Sequence, residues 1–107
     1  MLPPVLATPV MILIMENAAL NAIRPFLEPG ESAVGTAVNV RHVAVTPAGH
    51  RVTAEAEVTS VLWRRVAFKV TARDEVEEIG HGTHERVVVV LSRIGDRLAT
   101  KSKSRRS

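Results

Sequence analysis

Two hydrophobic periods divide the chain. From Val10 to Leu20 the run Val-Met-Ile-Leu-Ile-Met-Glu-Asn-Ala-Ala-Leu fills nearly every angle around a helix axis and leaves no polar stripe wide enough for a surface helix. Thr8-Pro9 predicts its start, with the Thr8 hydroxyl as N-cap and the proline at the first helical position, where no backbone bond is lost. Arg24-Pro25 predicts its end, and Glu28-Pro29-Gly30-Glu31 the turn that follows. Such a helix is expected to be surrounded.

From Ala33 onward the period is two. Val34, Thr36, Val38, Val40, His42 and Ala44 are expected on one face of a first strand, with Asn39 and Arg41 on the other. Pro47-Ala48-Gly49 breaks it. A second strand places Val52, Ala54, Ala56 and Val58 inward against Thr53, Glu55, Glu57 and Thr59, and a third sets Val66, Phe68, Val70 and Ala72 against Lys69, Thr71 and Arg73. The fourth, from about His84 to Ile94, is valine-rich and is expected to be central or covered on both faces. Short connections favour antiparallel hairpins, because a parallel crossover needs a dozen residues or more. The prediction is α+β: one antiparallel sheet curled around one helix.

With 107 residues, no internal repeat and no linker, the chain has room for a single core. Its domain is expected over residues 1–94. It contains no cysteine, which excludes disulfides and thiolate metal sites and suits a reducing compartment. Aromatic residues make up 3%, too few for base-stacking platforms. The net charge of +3 comes from the tail, since Lys101, Lys103, Arg105 and Arg106 fall in Lys-Ser-Lys-Ser-Arg-Arg-Ser. Without them 10 basic residues face 11 acidic ones, so the body offers no polycation surface for nucleic acid. Residues 95–107 are expected to be a solvated, disordered tail. No Lys or Arg precedes Arg24, and Glu16, Asn17 and Asn21 interrupt the apolar run before the ~20 residues a bilayer requires. A soluble, cytoplasmic protein is expected, with no membrane partner.

Glu16 is the most informative residue, an acid in the most apolar stretch. Burial without a cation would cost several kcal/mol, so an acid held there is expected to have a task. His42 shares a strand face with Val38 and Val40, so its imidazole should reach the same interior. Thr8 adds a hydroxyl near the positive end of the helix. Carboxylate, imidazole and hydroxyl together supply base, proton shuttle and nucleophile or orienter. Thr8 and Glu16 are eight residues apart, about 12 Å along a helix, which favours a Glu16–His42 pair over Thr8 as nucleophile. The turn residue His50 is expected at the surface. His81 and His84, in Gly80-His81-Gly82-Thr83-His84-Glu85-Arg86, offer with one acid fewer ligands than a supported zinc site wants. Their glycines suggest instead a tight connection into the fourth strand, with Arg86 in a surface ion pair.

The segments at 5–8 leading to Met15-Glu16, Leu27-Glu28-Pro29-Gly30, 35–42 (GTAVNVRH), 44–49 (AVTPAG) and 74–86 (DEVEEIGHGTHER) resemble the fluoroacetyl-CoA thioesterase family of hotdog-fold enzymes. The resemblance runs over about residues 3–94, and its last segment is the most specific. It implies a curved antiparallel sheet around a long central helix, hydrolysis of a short-chain acyl-CoA thioester, a site at a homodimer interface, and no metal or bound cofactor. It also implies that Thr8, Glu16 and His42 are catalytic, that the Gly35 N–H faces the acyl group and that Arg86 lines the same pocket. Other chemistries use this fold: a non-hydrolytic acyl-CoA-binding module and a hydratase or dehydratase are the alternatives.

Three departures accompany the resemblance. Relatives carry a first strand and an aromatic lid before the helix, so a sheet edge is expected to be unpaired here. Leu62-Trp63 stands at a hairpin tip where relatives have Gly, which argues against a primed two-residue turn. Asn17-Ala18-Ala19 replaces bulkier residues beside Glu16 and should reshape the acyl pocket.

Overall fold

The computed structural model describes residues 4–106, with side chains through Ser104. Helix α1 (Thr8–Ile23) runs into a single 3₁₀ turn at Arg24–Phe26, and strands β1 (Glu31–His42), β2 (Thr53–Leu62), β3 (Arg65–Arg73) and β4 (Glu78–Val90) follow before helix α2 (Leu91–Arg106). The four strands form one antiparallel sheet in the order β1-β4-β3-β2. This is the α+β hotdog architecture, with α1 packed on one face of a curved sheet.

Met11, Met15, Ala19 and Ile23 recur every four residues along α1 and are its buried residues. They meet Val66, Phe68, Val70 and Ala72 of β3, buried as the alternation predicts, and Ile79 of β4. Each large side chain taken out of water there contributes about 1.5–3 kcal/mol. In one chain, however, α1 is not surrounded. The sheet covers one face only, and Val10 and Leu13 stay 45% and 56% exposed. Between the opposite flank (Ile14, Asn17, Ala18, Asn21) and the edge strand β2 runs a groove of about 700 Å³. Asn17 and Ala18 thus sit in that groove, whereas Ala19 is in the core.

Bulges alter the expected strand faces. In β1 the register shifts between Gly35 and Ala37, and the extra residue reverses the alternation. Ala33 and Gly35 therefore share the helix-facing side with Val38, Val40 and His42, while Val34 and Thr36 point away. A second shift falls between Val58 and Ser60 in β2. Strand β4 begins at Glu78, several residues before the valine run, so Gly80-His81-Gly82 belongs to the sheet and is not a connection into it. A Cβ at Gly80 would lie 2.5 Å from Met11 Sδ, so this glycine serves close helix approach rather than a turn.

The β2–β3 hairpin does use a two-residue connection, against expectation. Leu62 pairs with Arg65, leaving Trp63-Arg64 between them, and Trp63 takes φ 58° while 94% exposed. A left-handed residue other than glycine costs roughly 1–2 kcal/mol, which the ladders on both sides impose. The basic carboxyl-terminal segment is likewise not structureless. It forms α2, whose Leu91, Ile94 and Leu98 are 53%, 36% and 61% exposed. Among the described residues no helix is long and apolar enough to cross a membrane.

Candidate active site

Two polar clusters lie on the helix-facing side of the sheet. The first forms where the β1 bulge meets the middle of α1. Gly35 pairs with Arg86 across β1 and β4, and a Cβ on Gly35 would stand 2.8 Å from Glu16 Oε2 and 3.2 Å from His84 Cε1. The missing side chain is what lets carboxylate and imidazole crowd against the strand. Arg86 is buried, 3.8 Å from Glu16 Oε2 through Nη1, while Nη2 donates to the Ala33 carbonyl. Arg86 Nε has no partner among the described residues. Burial pushes the guanidinium below its usual pKa, and the Glu16 carboxylate works in the opposite direction. Arg86 is therefore no surface ion pair. Nor is Glu16 fully enclosed: its side chain is 34% exposed, and a cation stands beside it.

His84 completes this cluster, well inside β4 rather than at the strand's start as expected. It is 3% exposed, bonded through Nδ1 to the Ala37 carbonyl at 2.9 Å and through Nε2 to Arg86 Nη1 at 3.2 Å, and stacked on Phe68. The signal for it in the sequence is the i, i+2 spacing to Arg86, which puts both on one strand face.

The second cluster joins Thr8 to His42, with Oγ1 and Nδ1 2.8 Å apart. Thr8 does not cap α1. Ala7 holds the N-cap position and makes no side-chain bond, so the Thr8 hydroxyl is free for the imidazole. Nε2 of His42 is buried and has no partner among the described residues. The expected Glu16–His42 pair is not formed within the chain. Gly35, beside Glu16, faces Arg86 on β4, whereas His42 faces Gly80, six residues away and thus about 20 Å. His50 is half-buried rather than at the surface, and no group of three or more potential metal ligands gathers among the described residues.

The sequence profile of the family described as FlK, fluoroacetyl-CoA-specific thioesterase, matches residues 1–92. The chain belongs to this family. It is 47% identical over 100 residues to the fluoroacetyl-CoA thioesterase of Streptantibioticus cattleyicolor, covering 94% of this chain and 72% of that protein. A crystal structure of a variant of the fluoroacetyl-CoA-specific thioesterase FlK in complex with fluoroacetate and CoA superposes with TM-score 0.89 at 47% identity, over 92% of this chain and 77% of that one. A thioesterase superfamily member from Thermus thermophilus gives TM-score 0.86 at 36% identity, over 97% and 76%. Both clusters lie inside the region that matches the thioesterase family, and α2 lies almost wholly beyond it.

Proposed function

We propose that this chain hydrolyses short-chain acyl-CoA thioesters as a homodimer whose two polar clusters are joined across the subunit interface. The observation that carries this reading is the Thr8–His42 hydrogen bond with His42 Nε2 buried and without a partner among the described residues. A hydroxyl on one imidazole nitrogen lacks only a carboxylate on the other to make a nucleophile–base–orienter relay. Glu16 of the same chain is too far away, so the partner's Glu16 is the fitting candidate.

Strand β1 can deliver it. It is a sheet edge with Val34 and Val38 42% and 40% exposed, and an edge of this kind invites pairing with a second copy. With the bulge residue set aside, an antiparallel β1–β1 pairing about Asn39 puts Val38 against the partner's Val40 and Gly35 against the partner's His42. All of these lie on helix-facing sides.

In such a site Thr8 Oγ1 attacks the thioester carbonyl while its proton passes to His42 Nδ1. A C–O bond forms and the C–S bond breaks. CoA departs as the thiol with that proton, and water then cleaves the acyl-Thr8 ester by the same base. The partner's Glu16 holds the charged imidazole, and the Gly35 N–H faces the acyl carbonyl, with Arg86 lining the same pocket. The CoA complex of the related thioesterase supports the substrate class, and the absence of cysteine suits a cytoplasmic enzyme. Thiol release from a panel of short acyl-CoAs tests the reading. Glu16→Gln should stay folded and lose roughly 10²-fold in turnover, the scale of a general acid–base group. Thermal stabilisation by CoA esters without thiol release in the unaltered protein would overturn hydrolysis.

A further inference from the structure

We infer that His84 is a positioning residue, held neutral in its Nδ1–H tautomer so that it aims the Arg86 guanidinium at Glu16. The inference rests on the proposed thioesterase reading for its functional consequence but not for its geometry. A backbone carbonyl can only accept, so the 2.9 Å contact with Ala37 requires the proton on His84 Nδ1. A guanidinium can only donate, so the 3.2 Å contact requires a bare lone pair on Nε2. These two neighbours leave a single protonation state. A cationic imidazole would set an N–H against the Arg86 N–H, and the other tautomer would oppose both contacts.

The consequence falls on Nη1. One of its two hydrogens goes to His84 Nε2, which leaves the other directed at Glu16 Oε2, 3.8 Å away. Nη2 is tied to the Ala33 carbonyl, so the guanidinium plane is fixed by two acceptors from two strands. His84 itself cannot swing: it is 3% exposed, stacked on Phe68 and anchored next to the β1 bulge. The chain runs from a backbone carbonyl through imidazole and guanidinium toward the carboxylate, with donor facing acceptor at both His84 nitrogens and an ion pair at its end, while Arg86 Nε stays without a partner among the described residues.

Two substitutions separate aiming from mere filling of the core. The glutamine amide reaches the position of Nε2 and can accept from Arg86, whereas the asparagine amide reaches only Nδ1 and can keep the Ala37 bond alone. His84→Gln should hold kcat/KM for a short acyl-CoA within about 3-fold of the unaltered protein, and His84→Asn should lower it roughly 10-fold or more, as expected for a lost charge-assisted contact. The two variants should lose similar amounts of Tm. Nitrogen-15 spectra of the unaltered protein should show the His84 ring protonated at Nδ1 and bare at Nε2. Equal activities of the two variants, or a ring protonated at Nε2, would overturn the assignment. The spectrum needs no substrate, so a protein that hydrolyses nothing but shows this tautomer would sink the thioesterase reading and leave the relay standing.

Discussion

If the catalytic groups come from two chains, two crippled variants should repair one another. Glu16→Gln lacks the carboxylate, and His42→Ala lacks the base. Within one chain the Glu16 carboxylate rests beside Gly35, which lies about 20 Å from His42 along the β1–β4 ladder, while each side chain reaches only about 5 Å from its Cα. A same-chain site cannot close that gap. In a mixed dimer, one site receives His42 from the chain carrying Glu16→Gln and Glu16 from the chain carrying His42→Ala, so it is intact; the other carries both lesions. Random exchange makes half the dimers mixed, each with one of two sites working, which restores about a quarter of the unaltered rate. Against parents near ~1% of that rate, the scale of a lost acid–base group, the signal is roughly 25-fold. Co-expression with two affinity tags isolates the mixed species, for which the restored rate should be about half rather than a quarter, and thiol release from acetyl-CoA reads it out. A mixed dimer no faster than its parents would refute the shared site, whatever its stability.

Gly35→Ala should act on turnover more than on folding. The new Cβ meets the far end of the Glu16 side chain at 2.8 Å, where the part-exposed carboxylate can swing toward solvent, and the His84 ring at 3.2 Å, which need give by only a few tenths of an ångström. Tm should fall by only a few degrees while kcat/KM drops about 10-fold or more, since misplacing a reacting group is costly out of proportion to its energy; unchanged turnover would remove Glu16 from the site. Asp74 gives a pH test away from the chemistry. Its carboxylate accepts from the Glu77 and Val76 N–H groups and the Thr46 hydroxyl, and those backbone donors hold its pKa below the ordinary 3.8. Its stabilising contribution is thus complete above that value and fades as pH falls below it. Asp74→Asn should be less stable by a constant margin from about pH 5 to 8, with the margin narrowing below about pH 4. A margin that widens in acid would contradict the hydrogen-bond assignment.

How far the site can be read from sequence depends on whether a residue's strand keeps its phase. Helix α1 is legible at both ends because Thr8-Pro9 and Arg24-Pro25 are chemical stops, and β3 is legible because an unbroken alternation maps directly onto Val66, Phe68, Val70 and Ala72. Glu16 stands out as an acid without a polar stripe, but its partner does not. Arg86 and His84 are hidden by glycines that normally signal turns, whereas here they lie within a strand that α1 approaches at Gly80. The β1 bulge is invisible for the same kind of reason: Gly35-Thr36-Ala37 carries no residue whose side chain announces which face it takes. That bulge is nevertheless what assembles the Glu16, His84 and Arg86 cluster. It brings Gly35 onto the face of His42 and Val38, opens the gap that Glu16 enters, and leaves the Ala37 carbonyl where His84 can bind it. Of this corner of the sheet, only the histidine placed two residues before an arginine, which puts both on one strand face, can be read from the sequence.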